Sequence, residues 1–341
     1  MNHAEGAAPG LYDLLRQLQS GRRSPRLITR RIFGAAALAG LVDCGRTLRK
    51  RIGVIPKANA DLFFITIHAG ADRAARDLKL SMIWSGPDIE TDYSRQIEIL
   101  DAMLANRVSA LAISATDDRA LAGPIERIIR AGIPVTIFDS AANVNDYVSL
   151  IATDNHEAGC TAARRLAALL PQGGPLAMLM QKPGGTSTEL RERGFEETVQ
   201  KEFPKLAIVA RQYGMGDRAR SMSVAEDILT AHPNLAGIFA SSEACSIGAI
   251  RAIRARHASG RIRLITFDTS DIHIQALRDG TADIMLVQDA YRIGYETVKS
   301  LGMKLAGKTP PRHMEIMARV ITKANLDAPD IRALLNPALA E

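Results

Sequence analysis

From residue 51 onward, short apolar runs alternate with longer stretches in which apolar positions recur every three or four residues. The runs "RIGVIP" (51–56), "LSMIWS" (80–85), "ALAIS" (110–114), "PVTIF" (134–138) and "VSLIAT" (148–153) are continuous enough to predict buried strands. Between them lie amphipathic helices. In "SRQIEILDAMLANR", Ile97, Leu100 and Leu104 share one face while Arg95, Glu98 and Asp101 point elsewhere. The helix before the fourth run ends at Gly132, which accepts a left-handed cap, and Pro134 blocks its continuation. The count then starts again with "PLAMLM" (175–180), "LAIVARQ" (206–212), "GIFAS" (237–241), "RLITF" (263–267) and "DIMLVQ" (283–288). Strands alternating with helices predict an α/β protein of two doubly wound parallel-sheet lobes, each of ordinary domain size.

Both fourth strands stop on a carboxylate: "IPVTIFDS" ends on Asp139 and "IRLITFDT" on Asp268. An isolated ionised Asp is expensive to bury, so each strand opens there onto water or a ligand. Ligands of open parallel sheets sit outside the carboxyl ends of the strands, and one ligand touching both aspartates lies between the lobes. A single Phe-Asp is better read as an Asp capping its own turn. Two at matched positions favour the cleft.

Composition changes the picture only at the N-terminus. The net charge is +6, but residues 1–51 hold ten Lys or Arg against three acids. Residues 52–341 keep 33 basic and 34 acidic side chains, so the body carries no field for nucleic acid. Arg30 and Arg31 precede an apolar run from Ile32 to Val42 and then Cys44. A basic region, a short apolar region and small residues predict an export leader over residues 1–50, too short to span a membrane. The arginine pair resembles twin-arginine leaders and "LVDC" a lipoprotein box, with Asp43 departing from the latter. The expected location is therefore the periplasm or cell envelope, with a lipid anchor at Cys44 as an alternative. Cys160 and Cys245 are too few for a disulfide framework and read as small buried hydrophobes; no metal-ligand spacing surrounds them.

The ordered set "GVIPKANADLFF", "GPDIETDYSRQIEIL", "AGIPVTIFDS", "ATDNHEAG", "RERGF", "LTAHPNLAGIFASSE", "ITFDTSD" and "VQDAYRIG" resembles the periplasmic sugar-binding proteins of the ribose-binding type, the type I solute receptors of ABC importers. The likeness spans about residues 50–325. It implies a first lobe of residues 51–153 plus 289–317, a second of 154–288 plus 318–341, and a three-segment hinge. It also implies a non-catalytic protein, without cofactor and monomeric, that binds a sugar or polyol and delivers it to an inner-membrane ABC permease. By the same likeness Phe63 and Phe64, placed in the loop after the first strand, stack on the ring. Asp139 and Asp268 accept from hydroxyls, Arg191 donates to oxygens, and Gln288 does both. Ser242 stands where this family usually carries Asn or Asp, and Ser140, Asp61 and Gly216 stand where its ribose binder carries Arg, Asn and an aromatic, so the ligand is widened from sugar to sugar or polyol.

Two other function classes are testable on the residues. Gly214, Gly216 and Ala219 in "YGMGDRA" satisfy a dinucleotide fingerprint, but it opens the second βα unit of its lobe, and residue 234 is Asn where an acid belongs. A repressor of the lactose-repressor class needs a helix with a polar outer face, which "IFGAAALAGLV" lacks. A ligand-sensing role beside a chemoreceptor or sensor kinase keeps the same fold and site.

Overall fold

A computed structural model describes residues 49–336. The leader, its arginine pair and Cys44 lie outside the described residues. The first sheet takes β1 (Arg51–Ile55), β2 (Ser81–Trp84), β3 (Ala110–Ile113), β4 (Val135–Phe138), β5 (Leu150–Thr153) and β11 (His313–Ile316), in the order β11-β5-β4-β3-β1-β2. The second takes β6 (Gly174–Met180), β7 (Leu206–Tyr213), β8 (Gly237–Ala240), β9 (Arg263–Phe267), β10 (Ile284–Val287) and β12 (Arg319–Ile321), in the order β12-β10-β9-β8-β6-β7. The two orders match strand for strand, so one plan is used twice. In each, the order reverses beside the first strand, which makes β1/β3 and β6/β8 the switch points where an open sheet leaves a crevice.

The central strands form because their residues are buried on both faces: β3, β4, β8 and β10 have no exposed position. Ten helices cover the sheets among the described residues. Those that matter below are α1 (Leu62–Asp77), α4 (Asn155–Leu169), α5 (Thr186–Glu202), α6 (Arg218–Ala231), α7 (Glu243–Ala255) and α9 (Ala290–Leu305). Asp154, Asp217 and Asp289 cap α4, α6 and α9, each accepting from the backbone N–H three residues on. Gly132 takes φ +81° behind its helix, as the sequence predicts.

The ten strands read from the sequence are all present, and two more are not in that reading. β11 pairs parallel to β5, and β12 pairs antiparallel to β10, so the second sheet is not wholly parallel. Both are short and partly exposed, and carry no periodic signal of their own; sheet edges offered by β5 and β10 create them. Only Met317 and Ala318 separate β11 in one sheet from β12 in the other.

In each lobe a helix pair closes on reciprocal glycines. In the second lobe α4 and α5 meet at Gly159 and Gly194: a Cβ at Gly159 would lie 2.0 Å from the Arg191 carbonyl oxygen, and one at Gly194 2.1 Å from that of His156. In the first lobe Gly70 of α1 and Gly294 of α9 make the same reciprocal contact with Tyr291 and Ile67. No side chain fits between backbones at that distance. Gly159→Ala is therefore expected to destabilise the protein by about 1–3 kcal/mol or more in urea melts, by overpacking. Gly123→Ala, where nothing lies within 4 Å, is expected to be neutral or slightly stabilising. Equal melts for the two variants would show that the helices separate freely.

Candidate functional site

The strand ends that face each other across the lobes surround one cavity. From the first lobe it is lined by Asp61, Phe63, Phe64 and Asp139, and from the second by Arg191, Ser242, Asp268 and Gln288. All eight residues singled out in the sequence thus meet in one place. Phe63 and Phe64 lie in the first turn of α1, not in a loop: the chain turns helical directly after Asp61, so the two rings project from a rigid element in an edge-to-face pair 5.1 Å apart. Phe64 is buried and shared with the lobe core, whereas Phe63 is half-buried.

Asp139 and Asp268 follow β4 and β9 directly and both adopt left-handed backbone, φ +57° and +66°. That conformation is uncommon outside glycine and is tolerated best by Asp and Asn. It turns the chain off the sheet and leaves both carboxylates inside, 3% and 8% exposed. Neither caps its own turn. Asp139 accepts from Ser114 Oγ at 2.8 Å and pairs with Lys57 Nζ at 3.1 Å. Asp268 accepts from Gln288 Nε2 at 2.7 Å. Arg191 projects from α5, 2% exposed, and lies 3.3 Å over the Phe267 ring. Its fork donates to the Ser241 carbonyl and to Asn155 Oδ1, while Nε has no partner. Ser242 caps α7 and donates to Gln181 Oε1.

The rest of the lining, Lys57, Glu90, Gln181, Ser187, Thr188, Glu243 and Ala244, is not among the residues the sequence singles out. Gln181 follows β6 directly, as the aspartates follow β4 and β9, and Lys57 stands two residues past β1, so strand-end position is the available signal. Glu90 and Glu243 had none, because they reach the cavity from a loop and from a helix start. Gly216, in the fingerprint loop, stands beside Gln181 and Glu90. Asp217 fills the N-terminus of α6 with its own carboxylate, which occupies the seat a phosphate would need.

The lobes touch through this lining. Lys57 Nζ reaches Ser187 Oγ at 3.3 Å, Gln181 Nε2 donates to Glu90 Oε2 at 3.2 Å, and Lys182 Nζ donates to the Thr116 carbonyl at 2.5 Å. The cavity between them measures about 30 Å³. A single water needs about 10–15 Å³ on this measure, so a ring-sized molecule enters only as the lobes part.

Burial sets the electrostatics. It would lower the Lys57 ammonium, but Asp139 and Glu90 outweigh it and hold the pKa above its ordinary value. Burial lowers the Arg191 guanidinium against the pull of Asp268 and Asp139. It raises Asp268, with the Arg191 charge opposing. Glu243 is pushed up to about 8 by burial and by Asp61, and Asp61, at the rim, to about 6 by burial and by Glu90. Behind the lining, Glu192 is pushed up to about 7 by burial although Ser241 Oγ and Gln181 N donate to its Oε1.

Comparison with known proteins places the geometry. Residues 52–309 match the periplasmic binding protein domain model. The ribose import binding protein of Bacillus subtilis is 28% identical over 72% of this chain and 78% of its own. A carbohydrate transporter solute-binding protein from Agrobacterium radiobacter, solved with D-arabinose, superposes with a TM-score of 0.82 at 31% identity, covering 85% of this chain and 99% of its own. An ABC transporter solute-binding protein from Agrobacterium vitis, bound to α-D-tagatopyranose, gives 0.81 at 29% identity over 84% and 99%.

Glu192 generates a pH test. Its folded pKa of about 7 exceeds the ordinary 4.5, so the folded state holds the extra proton between the two values. The associated stability is complete below 4.5 and is lost as pH rises through 7. Glu192→Gln keeps the acceptor and removes the titration. Its stability in urea melts is expected to gain on the parent's by on the order of 3 kcal/mol between pH 4.5 and 8. Parallel curves would mean that Glu192 is ionised at no cost.

Proposed function

The chain belongs to the periplasmic binding protein domain family, whose members here are binding proteins and not enzymes, and on that premise we propose that it captures one sugar or polyol between its lobes for an ABC-type importer. The observation that carries this reading is the set of buried polar atoms left unpaired in the cavity lining. Arg191 Nε is a donor without an acceptor, Gln288 Oε1 is an acceptor without a donor, and Glu243 Oε2 has no partner of either kind. An unmade buried hydrogen bond costs about 1–3 kcal/mol, and a hydroxyl group, donor and acceptor at once, answers both kinds.

The remaining lining supplies the other half of sugar recognition. Phe63 and Phe64 offer the apolar C–H face of a ring an aromatic surface, and Asp139, Asp268 and Ser242 hold its hydroxyl rim. The relatives named above are a ribose import binding protein and solute-binding proteins bound to D-arabinose and α-D-tagatopyranose, which supports a monosaccharide-sized ligand.

The lobes hinge at 153–154, 288–289 and 317–318, so that residues 51–153 and 289–317 move against 154–288 and 318–336. The β11–β12 step of two residues and the change of sheet after β5 and β10 support these boundaries. Closure over the ligand presents a shape that a permease in the inner membrane reads, and the basic leader over residues 1–50 takes the protein to the periplasm.

Two measurements test the reading. A thermal-shift screen of pentoses, hexoses and sugar alcohols is expected to find a stabilising ligand. For that ligand Asp139→Asn and Arg191→Ala are expected to weaken binding by about 10- to 100-fold, since each removes a charge-assisted hydrogen bond. Variants that bind as tightly as the parent would remove these residues from the site. Small-angle scattering is expected to show a smaller radius of gyration at saturation than without ligand; an unchanged radius would rule out hinge closure.

A further inference from the structure

The charges around the cavity do not balance. Its lining holds five carboxylates, Asp61, Glu90, Asp139, Glu243 and Asp268, against two cations, Lys57 and Arg191. Lys57 is committed to Asp139 and lies 3.9 Å from Glu90. Arg191 spends its fork on Ser241 and Asn155 and lies against Phe267. One further cation, Arg218 at the start of α6, reaches the rim, 2.7 Å from Glu243 Oε1 and 4.0 Å from Asp61 Oδ1. With Arg218 counted, and Lys182, which acts on Glu90 from beside the lining, one negative charge remains in excess.

The excess is concentrated where the lobes meet. Asp61 comes from the first lobe and Glu243 from the second, and both face the same Arg218 nitrogen. Arg218 is itself partly exposed, with 42% of its side-chain surface open to solvent, so its field is weakened by water. Glu243 is 7% exposed, lines the cavity, and keeps Oε2 without any hydrogen-bond partner. Asp268 acts on it from the end of β9, and His273, beside Arg218, is held neutral by burial with its pKa down to about 3. Arg218 is the cation that acts on Glu243 most strongly.

A neutral sugar leaves such an excess in place, and the pocket then has to take up protons instead. Glu243 does so in the free protein, with its pKa near 8.

We propose that the ligand of this cleft is a polyhydroxylated molecule carrying a protonated amine, and that Glu243, with Asp61 across the cleft, receives the ammonium group and discriminates it from a hydroxyl. This rests on the sugar or polyol reading above and narrows it. The ammonium supplies three donors and a positive charge, which matches the unpaired Glu243 Oε2 and offsets the surplus carboxylate. At neutral pH the bound cation displaces the Glu243 proton into solution.

The test compares amino hexoses and amino pentitols with their neutral parents and their N-acetyl derivatives by calorimetry. Measurements at pH 7 in two buffers of different ionisation enthalpy read proton release. At least one amine is expected to bind ten-fold or more tightly than its parent and its N-acetyl derivative, with release of up to one proton. In Glu243→Gln the amine-to-parent ratio is expected to fall by ten-fold or more and the proton release to vanish. Exchanging the exposed Glu98, which does not line the cavity, for Gln is expected to leave the ratio unchanged. If neutral sugars bind as tightly as amines, without proton release, the amine assignment is overturned and the sugar reading stands. If neither class binds, both fall together.

Discussion

The structure is organised by the cost of burying charge. Asp139 and Asp268 sit at the carboxyl ends of β4 and β9, 3% and 8% exposed, where an unpaired ionised carboxylate would not survive. Each therefore needs a partner brought from elsewhere in the chain. Lys57 arrives from the end of β1 for Asp139, and Gln288 from the end of β10 for Asp268, with Arg191 from α5 adding its charge. Those partners fix which strand ends point inward, and the inward strand ends define the cleft. The left-handed backbone of both aspartates follows from the same demand, because only a sharp turn off the sheet keeps the carboxylate inside.

Duplication makes the arrangement economical. The strand orders coincide, and each lobe closes one helix pair on reciprocal glycines. In the second lobe this contact also serves the cleft: Gly159 lies against the Arg191 backbone, so α4 and α5 are close enough for Asn155 to accept from the Arg191 fork. The two lobes then differ in what they contribute. The first brings an aromatic pair and a buried ammonium; the second brings a guanidinium and two amides. A ligand held between them meets an apolar face on one side and directional donors on the other.

Family membership accounts for the scaffold and leaves the lining to be read on its own terms. Lys57, Glu90 and Glu243 carry the charge pattern of this cleft, and they set it by proximity across lobes. Glu243 and Asp61 illustrate the point: more than 180 residues apart in the chain by their numbers, they share one arginine nitrogen.

The sequence by itself determined the duplicated α/β plan, because alternating buried runs and amphipathic stretches are local patterns that fix each element's type. It also exposed the eight residues it nominated, through strand-end position and ordered motifs, and the structure gathers all eight around one cavity. Phe63 and Phe64 read as loop in the sequence because the strand signal ends before them and the helix begins only one residue earlier, at Leu62. The edge strands β11 and β12 were not legible, since neighbouring strands create them and their own side chains do not. Tertiary structure alone decided the burial of Arg191, the Lys57–Asp139 pair and the approach of Asp61 to Glu243. Burial and pairing are properties of distance between remote segments, and a pattern that repeats every two or four residues carries no record of it.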